Sequence, residues 1–289
     1  AWAIFAPVWM LLVFAPVFKW VYGGWLFDRG SLDFAGGTAI HVNAGIAALV
    51  AVLILGKRKG WPTEGHPPHS MPLVMIGTGI LWFGWFGFNA GSALGANGQA
   101  VQAFMNTFLA AAAAGLAWCI TERLKDGHFT NLGAASGIVA GLVAITPACG
   151  FVSSMSSIWI GLAAGVICCF AVQFKFKAGY DDSLDVVGVH FVGGLVGSLM
   201  IGLFADAEYF GADHMSGLFY GGGAKLLLEQ AIANGATIIY SGIVTALILL
   251  ALKATIGIRV SEDVEDSGLD SAEHAETAYN GGEVTMARA

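Results

Sequence analysis

The chain has 289 residues, of which 56% are hydrophobic and 11% charged, and its mean hydropathy is +0.72. That balance excludes an ordinary soluble globular domain, and a net charge of −7 leaves no basic surface for nucleic acid. The 41 glycines suit closely packed membrane helices. Cys119, Cys149, Cys168 and Cys169 lack metal-ligand spacing and read as small apolar residues.

The chain opens on Ala1 inside an apolar segment, with no charged, cleavable leader. Its amino terminus reads as cut, so part of the protein is expected upstream. Eight apolar runs follow, each near the roughly 20 residues that a membrane helix needs. They cover roughly 3–22, 34–56, 71–91, 99–121, 132–149, 154–173, 186–206 and 225–256. Residues 1–256 are therefore predicted to form an all-α polytopic membrane domain. Residues 257–289 form a tail, acidic from Glu262 to Glu276, that would be flexible alone. Basic residues follow every second run: Lys57, Arg58 and Lys59, then Arg123 and Lys125, then Lys175 and Lys177, then Lys253 and Arg259. The other breaks hold Lys19, Arg29 and Lys225. The positive-inside bias thus places residue 1, the ends of the even helices and the tail on the cytoplasmic side.

Two histidines stand inside glycine-rich membrane runs in similar contexts. The second run begins Asp33-Phe-Ala-Gly-Gly-Thr-Ala-Ile-His41-Val-Asn-Ala-Gly45, and the seventh Asp185-Val-Val-Gly-Val-His190-Phe-Val-Gly-Gly194. The inferred orientation makes these helices antiparallel, as an inverted repeat with a site at the repeat interface requires. His41 lies about 12 Å into its helix and His190 about 7–8 Å into the opposite-running one, depths that permit contact. An intramembrane imidazole needs a partner or a pathway, and two neutral rings can share a proton while keeping polar edges. Asp33 and Asp185 stand where an aspartate caps a helix start; at an outer mouth the field of Asp33 would also favour a cation. No metal is expected, because no third histidine or cysteine falls in these helices and prolines separate His66 from His69.

The third run ends Leu81-Trp-Phe-Gly-Trp85-Phe-Gly-Phe88-Asn-Ala-Gly-Ser92. Trp82 and Trp85 read as interfacial belt residues. Phe88 and Ser92 are four apart on one face and offer a ring and a hydroxyl to a small cation; Tyr22, ending the first run, could supply a second ring. The alanine run Ala110–Ala114 reads as a packing surface. No nucleophile elbow, His-Glu-x-x-His or phosphate-cradling loop is present in the sequence, so neither an enzyme nor a cofactor is expected.

In sum these segments resemble the ammonium transporter family (Amt/Mep proteins, relatives of the Rhesus proteins). The resemblance rests on the Asp33–Ala47 segment, Gly84-Trp-Phe-Gly-Phe-Asn-Ala-Gly-Ser92, Thr146-Pro-Ala-Cys-Gly150 and Asp185-Val-Val-Gly-Val-His190. In the tail it rests on Gly257-Ile-Arg-Val, Gly268-Leu-Asp, His274 and Ala278-Tyr-Asn280. It implies an Amt-type bundle with eight of the family's eleven helices, the first three absent, so that the fragment alone does not close a pore. By position, His41 and His190 correspond to the twin pore histidines, Phe88 to an aromatic gate and Ser92 to the outer ammonium site. Asp33 corresponds to the aspartate beneath that site, and Asp182 and Asp185 to the inner acidic residues. Tyr22 falls where many members carry tryptophan, a larger cation–π platform.

The resemblance further implies a multi-pass protein of the plasma or inner membrane and a homotrimer among membrane lipids, with a PII-type regulatory partner on the cytoplasmic face. The implied function is ammonium uptake: ammonium is gathered at an outer vestibule and deprotonated, and ammonia passes the histidines. The alternatives are a Rhesus-like electroneutral ammonia channel, a sensor that signals through its tail and transports little, and an intramembrane enzyme disfavoured by the absent nucleophile.

Overall fold

The computed structural model describes residues 1–207 and 214–277. Among the described residues nearly all regular structure is helical, and the exception is a single antiparallel bridge between Val152 and Ala205. The helices are α1 (Trp2–Asp28, broken at Gly24), α2 (Gly37–Leu55), α3 (Met71–Gly91), α4 (Gly98–Asp126), α5 (Asn131–Ile145), α6 (Ser154–Ala178), α7 (Val187–Phe204) and α8 (Lys225–Thr255). The tail adds α9 (Glu262–Ser267) and α10 (Leu269–Glu273). The tail residues Ala278-Tyr-Asn280 lie outside the described residues.

Seven of the helices are long and apolar enough to cross a membrane. The fifth expected crossing differs. α5 is 15 residues long, about 22 Å at a helical rise of 1.5 Å per residue. Residues 146–150 form turns, with Pro147 among them, and the Pro147 carbonyl accepts the Phe34 N–H at 2.9 Å. The apolar run continues past the helix because this turn is itself buried. α5 packs against both α4 and α6, and beyond Asn131 and Leu132 its residues are buried or half-buried.

Local chemistry sets the helix starts. Asn97, Thr130 and Ser153 accept backbone N–H bonds at 2.9, 2.8 and 3.3 Å at the heads of α4, α5 and α6. α4 and α6 meet through small residues. Ala110, Ala111 and Ala114 are fully buried, and a Cβ on Gly161 would come 2.9 Å from the Ala110 Cα. The alanine run is thus a packing surface, where dispersion replaces the hydrophobic effect that water would supply.

α2 and α7 run antiparallel across the centre. α2 ends beside the tail, where Arg259 donates to the Leu55 carbonyl; α7 ends at the opposite face, where Asp206 donates to the Phe151 carbonyl. Their approach is reciprocal. A Cβ on Gly45, four residues after His41, would lie 2.6 Å from the Phe191 Cα. One on Gly194, four after His190, would lie 3.1 Å from the His41 Cβ. Gly45→Ala is therefore expected to force α2 and α7 apart, lowering the thermal unfolding midpoint by an overpacking cost of about 1–3 kcal/mol. The same substitution at exposed Gly91, where a Cβ meets nothing within 4 Å, should leave the midpoint nearly unchanged.

Candidate functional site

Both histidines lie in π-helical turns, Gly37–Val42 and Val187–Phe191. Such turns are rare and frequent at functional sites. Here they bring the His41 and His190 Nδ1 atoms to 3.2 Å, with ring centroids 5.3 Å apart. One Nδ1 donates and the other accepts, so the rings carry opposite tautomers whenever both are neutral. The His41 Nε2 is buried with no hydrogen-bond partner among the described residues.

The wall around the pair is aromatic. Trp85 stacks on His41 at 5.4 Å and 15°, and Phe88 lies 6.2 Å from His41 and 5.4 Å from Trp85. The Trp85 indole donates to the Thr146 Oγ1 at 2.9 Å, which locks the ring against the imidazole. Trp85 is 8% exposed, so the belt reading fails for it: its N–H finds a buried hydroxyl rather than an interface. Its position three residues before Phe88, on the same helix face, was the available signal.

Asp33 caps the first histidine helix. Its Oδ1 accepts from Gly36 and Gly37 at 2.8 and 2.7 Å, and its Oδ2 from Thr38 and Ala39 at 2.9 and 3.0 Å. At the second helix the cap is Asp182, whose oxygens accept from Val186 at 3.1 Å and Val187 at 2.7 Å. Asp185, the residue that the sequence placed in that role, has a positive φ of 58° and binds Lys175 at 2.5 Å. The two carboxylates reach the free N–H groups from three to six residues upstream, and Asp185 is too close to them.

Ser92 and Tyr22 stand apart from the pair. The Ser92 hydroxyl is exposed at the end of α3 and donates to the Phe88 carbonyl at 2.8 Å. The Tyr22 ring packs on Phe18 at 4.7 Å, within a cluster that includes Ala39 and Ala233. The arrangement therefore joins His41, His190, Phe88 and Trp85 into one wall, with Ser92 one turn beyond Phe88 and Tyr22 on the flank of α2. Among the described residues no group of three or more His, Cys, Asp or Glu side chains could hold a metal ion.

A polar ladder on α8, made of Gln230, Asn234, Thr237, Ser241 and Thr245, is wholly buried. Asn234 and Gln230 bind the Ser198 Oγ at 2.8 and 3.1 Å, and Thr38 bridges Ser198 and Asn234 at 3.0 and 3.1 Å. This network ties α2, α7 and α8 together immediately below the Asp33 cap. Sequence reading passed over it, although spacings of four, three, four and four mark one helix face.

On the tail-bearing face, Arg58 donates twice from its guanidinium to Asp181, at 2.9 and 2.8 Å, and once from its backbone at 2.7 Å. Lys59–Asp266 at 2.6 Å and the Arg259 bond to the Leu55 carbonyl at 3.2 Å fasten the tail, and Arg259–Glu265 at 2.6 Å folds it on itself, around a cavity of about 790 Å³. The acidic tail thus meets the basic loop at α9.

Comparison with known proteins gives the same outline. Residues 1–279 match the profile of the Ammonium Transporter Family. The ammonium transporter of Aquifex aeolicus is 54% identical over 282 residues, covering 97% of this chain and 65% of that protein. That of Mycobacterium tuberculosis H37Rv is 51% identical over 294 residues, covering 97% and 62%. The crystal structure of Candida albicans Mep2 superposes with a TM-score of 0.85 at 37% identity, covering 94% of this chain and 62% of that one. A structure titled Sensor Amt Protein gives 0.77 at 33% identity, covering 86% and 62%. The chain thus spans somewhat under two thirds of these relatives' lengths. With its twin-histidine wall set in a bundle of membrane-spanning helices and a profile match over nearly its whole length, this multi-pass membrane protein belongs to the Ammonium Transporter Family.

Proposed function

We propose that this chain carries the conduction path of an ammonium transporter. The observation that supports it most is the His41–His190 contact, made by antiparallel helices inside an otherwise apolar, aromatic wall. Phe88 and Ser92 form the approach: a ring face and a hydroxyl gather ammonium by cation–π attraction and one directed hydrogen bond. Potassium is of similar size, so charge and radius alone do not separate the two. Carrying either bare ion past Phe88 and Trp85 is opposed by desolvation, ideally of order 20 kcal/mol. Ammonium escapes most of that penalty by giving a proton to solvent water at the Ser92 end; potassium has none to give. Ammonia then passes the paired imidazoles, whose edges offer a donor and an acceptor to a neutral guest.

The Lys/Arg bias supports a cytoplasmic tail-bearing face and an outer Ser92 end, in a plasma or inner membrane. Family resemblance supports a homotrimer in lipid and a PII-type partner on the tail-bearing face. The reading is tested by growth. Cells lacking their own ammonium uptake should grow on limiting ammonium when they express this chain joined to the amino-terminal segment of its Aquifex relative. Growth no better than with empty vector, with the protein present in the membrane, would refute it.

A further inference from the structure

Lys175 sits near the end of α6, with its side chain 12% exposed. Its Nζ donates to the Asp185 Oδ1 at 2.5 Å and to the Asp182 carbonyl at 2.9 Å, and it lies 5.4 Å from the centre of the Phe176 ring. An anionic oxygen, a neutral carbonyl and an aromatic face are together what a free ammonium ion requires. The cluster closes the loop that starts α7. The Asp182 carboxylate caps Val186 and Val187, and the Asp185 carbonyl accepts the Val189 N–H at 2.8 Å, one residue before His190. The neighbouring Asp181 has its own cation in Arg58, so the Asp185 charge is left to Lys175.

We propose that the tail-side mouth of the path holds a second ammonium site, and that Lys175 fills it with its own ammonium group. The lysine is a tethered competitor. It neutralises Asp185, which would otherwise retain each ammonium ion re-formed beyond the histidines. The biological sense of this site rests on the transport reading above, whereas its existence is tested by binding alone.

The experiment is thermal unfolding of Lys175→Met in detergent, titrated with ammonium chloride and, at equal ionic strength, with sodium or potassium chloride. Ammonium is expected to raise the variant's midpoint saturably, by about 5 °C. Sodium and potassium should not do so, and the unmodified chain should show no comparable rise. Adding Asp185→Gly, which tolerates the positive φ but removes the carboxylate, should return the ammonium response to that of the unmodified chain. Equal responses to all three cations, or none, would overturn the proposal whether or not the protein transports. If Lys175→Met does not fold, Asp185→Gly alone decides. It should free Lys175 and speed its acylation by an amine-reactive reagent about tenfold, and an unchanged labelling rate would overturn the site.

Discussion

His190→Ala and His41→Ala are each expected to lower the ammonium-over-potassium conduction ratio at least about tenfold, equivalent to 1.4 kcal/mol between the two barriers. Each substitution removes half of a hydrogen-bonded pair held at 3.2 Å. The surviving imidazole loses the partner with which it shares a proton. The space left behind is lined on the His41 side by Trp85 and opens towards Phe88. Water that enters such a space lowers the desolvation barrier for ammonium and potassium alike, so discrimination collapses. Trp85→Phe separates this effect from simple loss of packing, because it keeps a ring beside His41 and loses only the bond to Thr146. It should shift selectivity less than either histidine change. Ion fluxes into vesicles containing each variant check the order. A histidine-to-alanine variant with unaltered flux and selectivity would remove the pair from the mechanism.

Asp33→Ala is expected to be the most destabilising single change outside the helix–helix contacts. Four backbone N–H groups, those of Gly36, Gly37, Thr38 and Ala39, have their hydrogen bonds to this one carboxylate, which is 8% exposed. A buried donor left unmade costs about 1–3 kcal/mol, so even with partial relaxation the loss is on the order of 4 kcal/mol. Asp33→Asn keeps one acceptor oxygen and turns an NH₂ towards the other two donors, so it should recover about half of that. The same turn carries His41, hence both variants should lose conduction in the same order. Thermal unfolding in detergent, read beside flux, tests this; an Asp33→Ala midpoint within about 1 °C of the parent would contradict the capping account.

Much of this was readable from the chain because intramembrane polarity is rare and therefore informative. The doubled His-x-x-x-Gly pattern marked His41 with Gly45 and His190 with Gly194, and the Lys/Arg alternation gave the antiparallel sense of α2 and α7. Their contact follows, since each glycine removes the Cβ that would hold the other helix away. What stayed hidden depends on backbone path. Hydropathy does not distinguish four residues per closed turn from five, so the π-helical turns at both histidines left no trace in the pattern. The cap at α7 was assigned to Asp185 by proximity, whereas the loop path gives it to Asp182 and turns Asp185 to Lys175. The end of α5 was marked by Pro147, but the buried turn around it kept the apolar run going. Trp85 was misread because a belt tryptophan and a wall tryptophan differ only in what receives the indole N–H.

The most direct test of the conduction claim is the uptake of ammonium nitrogen into proteoliposomes after a rapid ammonium pulse, with potassium uptake from an equal potassium pulse as control. The protein measured would be the chain joined to the amino-terminal segment of its Aquifex relative. The account predicts a saturable response to ammonium at least about tenfold above that to potassium, lost when His41 and His190 are both alanine. Equal responses to the two cations, or an ammonium response that survives the double substitution, would contradict a path that selects ammonium at the paired histidines.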